Sequence, residues 1–337
     1  MAKNIVMKNY LALICVLAAT FGGCSNLAVY EPNKIESRLS YHDKLPSPIA
    51  RKSQDGVTLE NGAVLSAKRG APKLQEGFYL LSIDDQFALA TDGVKKTLLY
   101  ENGKIKNEFE DDAAVVAGAT DGVVLAIVTK KNSLKVIDAA TKNILFFSQE
   151  RPALTAASPF AKPLIGENWI AFGSLDGKLV VVDRASWQTM NEIVVADAEF
   201  FANIAFLVNH EGYVIAAGGG KILSIAPSGL VTARDIDVRQ AAKFPSGLFV
   251  FARDGAVYKL TPALETLAET KLTYARYAAA AERNGEIWAL EQSGYAARFS
   301  GDLKVVKIYD LPDSVREQVH SDSRGFWQYE KRILWED

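Results

Sequence analysis

The fold class this sequence predicts is an all-β, seven-bladed β-propeller, with eight blades as the alternative. Three observations carry that expectation: two series of turn signals run in step, β-rich runs flank them, and nothing in the clearest repeat reads as helix. The first series is Asp84-Asp85, Asp121-Gly122, Glu167-Asn168, Glu211-Gly212, Ser246-Gly247, Asn284-Gly285 and Arg324-Gly325. The second is Asp92-Gly93, Lys131-Asn132, Asp176-Gly177, Gly219-Gly220, Asp254-Gly255 and Ser293-Gly294. Each advances by roughly 40 residues, the length of a four-stranded blade. A lone blade leaves both faces of its sheet uncovered, so such repeats must stack around an axis to share a core.

In chain order, residues 1–23 read as an export leader. Lys3 and Lys8 precede an apolar run from Tyr10 to Phe21, and Gly22-Gly23-Cys24 follows. The run is too short to span a bilayer. A cysteine directly after two small residues resembles a lipobox, because lipoprotein-processing enzymes alkylate a thiol beside a cut site that small neighbours fit. Phe21 stands where that pattern usually has an aliphatic residue. Cys24 is therefore the expected lipidation site and first mature residue. Residues 24–56 carry Pro32, Pro46 and Pro48 among polar residues without sustained periodicity, and read as a flexible tether.

The propeller is expected over 57–337. Trp169-Ile-Ala-Phe-Gly-Ser, then Asp176-Gly177, then Lys178-Leu-Val-Val-Val-Asp183 shows the plan: two β-rich runs around a tight turn. Val123–Val128 with Leu134–Asp138, Tyr213–Ala217 with Lys221–Ile225, Leu248–Ala252 with Ala256–Leu260, and Glu286–Leu290 with Tyr295–Phe299 repeat it. Small-residue strands such as Ala278–Glu282 fall between blades, where inner strands converge on the axis. Six repeats run from about Phe78 to Asp310, leaving Val315–Trp335 short of a full blade. The Val57–Ser66 run is expected to complete it, so that amino- and carboxy-terminal strands share the last blade and two exposed sheet edges disappear.

Composition narrows the function. The chain has 337 residues, with 38 Lys plus Arg against 40 Asp plus Glu, and loses Lys3 and Lys8 with the leader. A mildly acidic surface gives phosphate backbones no electrostatic footing, which excludes nucleic acid as an expected partner. Of the two cysteines, Cys15 leaves with the leader and Cys24 would be blocked by lipid, so no disulfide is expected.

Leu134-Lys-Val-Ile-Asp138-Ala-Ala-Thr141-Lys-Asn-Ile-Leu-Phe146 resembles the repeat of quinoprotein-like propellers, and Leu179–Trp187 is a weaker copy. With the lipobox-like leader, the chain resembles the BamB-like family of PQQ-repeat β-propeller lipoproteins over nearly its whole length. It departs from that family in its blade count, since the family is usually eight-bladed, and in Thr-Lys-Asn where the repeat has Thr-Gly. The resemblance implies residence on the periplasmic face of the outer membrane, with Ser25 after the cysteine in keeping. It also implies a part in assembly of outer-membrane β-barrel proteins, with the barrel assembly machinery as partner.

No catalytic, cofactor or metal site is read from the residues, and the expectation is a non-enzyme. Adjacent cysteines and the repeated tryptophans of the quinone-dependent dehydrogenases are missing. His42, His210 and His320 lie outside ligand spacing of one another. Asp84-Asp85 and Asp111-Asp112 are neighbours on strands or turns and point apart, so they make poor acid–base pairs. Gly218-Gly219-Gly220 has no following helix to bind phosphate. Partner binding has the better physical case: Trp187 falls in an outer turn and Phe200-Phe201 in an inter-blade connection, where aromatic anchors of an interface would sit. The functional expectation is a lipid-anchored scaffold. The alternatives are a scaffold of another envelope or motility complex, and a propeller enzyme or sugar-binding protein with an axial site.

Overall fold

The turns close as their side chains dictate. Asp121 Oδ1 accepts from the backbone N–H groups of Val123 and Val124, both at 2.9 Å, while Gly122 takes the positive φ of 84° that the turn needs. Asp92 holds Val94, Lys95 and Lys96 in the same way, at 2.8 to 2.9 Å. A computed structural model describes residues 28–68, 70–153, 159–196, 202–316 and 318–335, so Cys24, Phe200 and Phe201 lie outside the described residues.

These turns bound eight antiparallel blades. The first blade is Ile49–Lys52, Val57–Leu59 and Val64–Leu65; the second Tyr79–Ile83, Phe87–Thr91, Lys96–Glu101 and Lys104–Glu110. The third is Val115–Thr120, Val124–Thr129, Ser133–Asp138 and Ile144–Gln149; the fourth Leu164–Ile165, Trp169–Gly173, Lys178–Asp183 and Thr189–Val194. Phe206–His210, Tyr213–Gly218, Lys221–Ile225 and Val231–Asp235 form the fifth, and Val238–Phe244, Gly247–Ala252, Ala256–Leu260 and Thr266–Lys271 the sixth. The seventh is Tyr277–Arg283, Glu286–Glu291, Tyr295–Phe299 and Val305–Asp310; the eighth Val319–Asp322, Gly325–Gln328, Lys331–Leu334 and, from the other end of the chain, Tyr41–Lys44. First strands of neighbouring blades meet one another around the axis, and the last strand of each lies on the rim.

The expected count of seven is therefore corrected to eight, and the closure moves. Val57–Leu59 does not complete the last blade: it pairs with Ile49–Lys52 on one side and Val64–Leu65 on the other, making a three-stranded blade of its own. The latch is Tyr41–Lys44, antiparallel to Lys331–Leu334 with Tyr41 opposite Ile333 and Lys44 opposite Lys331. Termini still share the last blade, through strands taken from the stretch that reads as tether. The physical reason is that the first blade lacks a fourth strand, so its Asp55-Gly56 turn falls 29 residues before Asp84 and out of step with the other repeats.

Packing explains the pattern of residue types. Val124–Thr129 is buried throughout because both faces of its blade are covered, which is why such strands read as unbroken apolar runs. Thr189–Val194, on the rim, is almost wholly exposed. Among the described residues, buried apolar side chains form eight clusters, and each occupies one seam between neighbouring blades. The smallest, between the eighth and first blades, holds Ile49, Val57, Leu59 and Trp327.

Candidate partner-binding flank

The rim of the second and third blades carries a groove of about 640 Å3. Its floor is Phe109 and Ile137, Ile144 forms a wall, and Glu108, Glu110, Asp111 and Asp112 outnumber Lys135 and Lys142 along it. The sequence places these groups through strand alternation: Lys104–Glu110 puts its charges outward and turns Phe109 inward. Lys135 is nearly buried on a central strand, and both Asp111 oxygens lie 2.9 Å from its Nζ, with Asp112 at 3.3 Å. Asp112 also takes a hydrogen bond from Lys131 at 2.8 Å; the two lysines hold its carboxyl well below the usual carboxylate range. The expectation that this doublet's side chains point apart is corrected: 111–112 lie past the end of the strand, and both carboxylates converge on Lys135, anchoring its ammonium, with Lys135 Nζ 5.7 Å from the centre of the Phe147 ring.

Rim strands expose apolar side chains: Ile105 on the second blade, Ile144 (which also lines the groove) and Phe147 on the third, and Met190 and Val194 on the next blade round, each more than half exposed. Among the described residues, no strand pairs with the outer edge of these strands. The chain itself shows what such an edge accepts, because Ser37–Arg38 adds to the seventh blade in parallel with Tyr309–Asp310.

The axis is a different environment. Lys162 Nζ lies 2.8 and 2.6 Å from the Asp55 oxygens, Gln54 Oε1 accepts from Lys162 N–H at 2.9 Å, and Gln54 Nε2 donates to the Ala205 carbonyl at 3.4 Å. Asp55 also accepts from Ile83 N–H at 3.0 Å. The first blade adjoins only the second and eighth, so contacts with residues entering the fourth and fifth blades must cross the axis. The turn 53–56 therefore bridges the channel where a propeller would hold an axial ligand. Among the described residues, no group of three or more His, Cys, Asp or Glu is placed to hold a metal ion.

The residues singled out from sequence fall as follows. Trp187 takes a positive φ of 57°, donates its N–H to Asp183 O at 2.9 Å, and lies half-buried against the cluster joining the third and fourth blades instead of projecting from its turn. Cys24, Phe200 and Phe201 fall outside the described residues. His42 is exposed on the closing strand, His210 is buried at the end of an inner strand, and His320 sits on the inner strand of the eighth blade. Sequence reasoning missed Gln54, Asp55 and the groove. The signal for the first pair was the Asp55-Gly56 turn; the groove had none, since its two walls come from separate blades.

No family model matches the chain. Plasminogen-binding protein PgbB of Helicobacter pylori strain J99 / ATCC 700824 is 25% identical over 382 residues, spanning 98% of this chain and 70% of that protein, and PgbB of strain ATCC 700392 / 26695 matches to the same extent. Among solved structures, BamB from Moraxella catarrhalis superposes with a TM-score of 0.66 at 12% identity, covering 88% of this chain and all of that one. The computationally designed Ika8 protein gives 0.62 at 13%, covering 89% and 98%, and the carboxy-terminal WD40 domain of Sif2 gives 0.63 at 10%, covering 90% and 100%. At such identities the likenesses carry the fold, and the chain is a β-propeller of the BamB-like shape.

Proposed function

We propose that the chain is a non-catalytic scaffold lipoprotein, tethered through Cys24 to the periplasmic face of the outer membrane, that docks the outer-membrane β-barrel assembly machinery on the flank of its second to fourth blades. The observation that carries this reading is the set of exposed apolar residues, Ile105, Ile144, Phe147, Met190 and Val194, on three successive rim strands, the first two of which flank an acid-lined groove. Fully desolvated aromatic and aliphatic anchors with a polar rim are what a protein interface uses. The bridged axis turns the reading from a central ligand toward the rim, and the BamB-like shape supports the choice of partner. Acylation keeps the domain at the membrane, which raises its effective concentration against a membrane-bound partner.

A second reading is capture of plasminogen, favoured by the similarity to PgbB across 98% of the chain. One experiment separates the two. A photo-crosslinker at Phe147 in intact cells should give an adduct with a barrel-assembly protein, and Ile144→Glu with Phe147→Glu should reduce co-purification at least tenfold while leaving Tm unchanged, since both side chains are exposed. No adduct from cells, together with retention of plasminogen on the immobilised chain, replaces the first reading with the second.

A further inference from the structure

The way the chain first meets the ring fixes how the ring stands on its membrane; this rests on acylation at Cys24. Tyr30 is 7% exposed and sits in the cluster that joins the sixth and seventh blades, among Phe251, Tyr277 and Phe299. Its ring meets Tyr295 edge-on at 5.7 Å. Downstream, Glu36 N–H donates to Ile308 O and Leu39 N–H to Asp310 O, both at 2.9 Å, and Leu39 is buried. The segment is thus clamped at both ends to one flank, and nothing after Tyr30 is free to pay out as tether.

Cys24 stands six residues before Tyr30. Even fully extended, that length spans at most roughly 20 Å. A compact unit of this size has a radius of gyration of roughly 20 Å and a diameter of roughly 50 Å, so its opposite side lies well beyond that reach. We infer that the flank of the sixth and seventh blades is held edge-on against the lipid surface, and that the second and third blades, opposite in a ring of eight, point away from it. The side chains this brings to the lipid are Val29, Ile35, Leu267, Tyr274, Val305 and Val306, each at least 41% exposed. They are apolar and scattered among charges of both signs, as suits a surface that touches headgroups without inserting. The proposed docking flank is left open to a partner on the far side.

The test uses the full acylated chain in vesicles of phosphatidylethanolamine and phosphatidylglycerol carrying a headgroup-nitroxide lipid. Single fluorophores are placed through Leu267→Cys or Tyr274→Cys on the near flank, and through Ile144→Cys or Phe147→Cys on the far one; acylation blocks the native thiol. The near labels should be quenched at least threefold more than the far labels. Twenty Gly/Ser residues inserted between Ser25 and Tyr30 should abolish the contrast while the protein stays bound. Equal quenching in the acylated protein, or a contrast that survives the insertion, overturns the orientation alone. A preparation that takes up no labelled palmitate overturns the lipidation reading, and the orientation with it.

Discussion

Lys52 and His320 lie at the smallest seam, where burial depresses both, and the His320 shift makes this seam sensitive to acid. Lys52 pairs directly with Val57, whose side chain packs toward Trp327, so the ammonium points into the eighth blade. Among the described residues no carboxylate pairs with it, and burial pushes it down to about 8. Burial first, and then the charge of Lys52, push His320 down to about 4, with its ring 5.5 Å from that of Trp327; Asp322 and Arg324 pull in opposite directions and more weakly. The unfolded chain takes up this proton near 6.5 and the folded chain only near 4, so stability present above pH 6.5 is lost as pH falls toward 4. At about 1.4 kcal/mol per pKa unit the loss is bounded at roughly 3 kcal/mol. Both side chains keep partial solvent contact, which brings the effect below that bound. For Lys52 the cost of a desolvated charge is fully present below pH 8 and fades toward 10.5. Lys52→Met should therefore stabilise the protein at pH 7 by about 1–2 kcal/mol, and His320→Gln should flatten the profile between pH 6.5 and 4. Urea unfolding across pH 4–8 reads both; superimposable profiles for the wild type and the two variants would refute the account.

Strands were more legible than their assignment to blades. The Asp-Gly and Asn-Gly turns, flanked by runs such as Lys178–Asp183, locate the second to seventh blades because local backbone chemistry decides them. Tyr41–Lys44 offers no such signal: His42, Asp43 and Lys44 are exposed, and the strand exists only because Lys331–Leu334 lies beside it with an open edge. Its role as latch is testable by cross-linking. Tyr41→Cys with Ile333→Cys should oxidise spontaneously in a chain whose native cysteines are Cys15 and Cys24, and should raise stability by roughly 2–4 kcal/mol through the long loop it closes. Val57→Cys with Ile333→Cys should stay reduced. Non-reducing electrophoresis and thermal melts check both, and the reverse pattern would restore the seven-bladed closure.

Across the whole ring, each seam is held by its own apolar cluster, so stability is close to a sum of neighbour terms broken at one weak place. The Asp55–Lys162 bridge adds a term that skips neighbours and ties the first blade, beside that weak seam, to the entry of the fourth. Lys162 and Asp55 are largely buried, at 26% and 16% exposure respectively, so removing one partner leaves a charge poorly solvated. Lys162→Met and Asp55→Ala should each cost about 1–3 kcal/mol. The double variant should cost less than the two combined, with a coupling of roughly 0.5–3 kcal/mol. Chemical denaturation of all four proteins measures it, and strict additivity would show that the pair does not span the axis in solution. The groove between the second and third blades belongs to this scale too: Phe109 and Ile137 lie 28 residues apart, and only the ring makes them one floor.

The sequence by itself determined the propeller class, the turns, and the alternation of covered and rim strands, because each depends on residues within a few positions of one another. The eighth blade, the latch at Tyr41–Lys44, the docking of Tyr30 and the bridge from Asp55 to Lys162 were decided only by tertiary structure. Each is a contact between segments far apart in sequence, where a polar stretch becomes strand, clamp or plug according to what closure of the ring sets beside it.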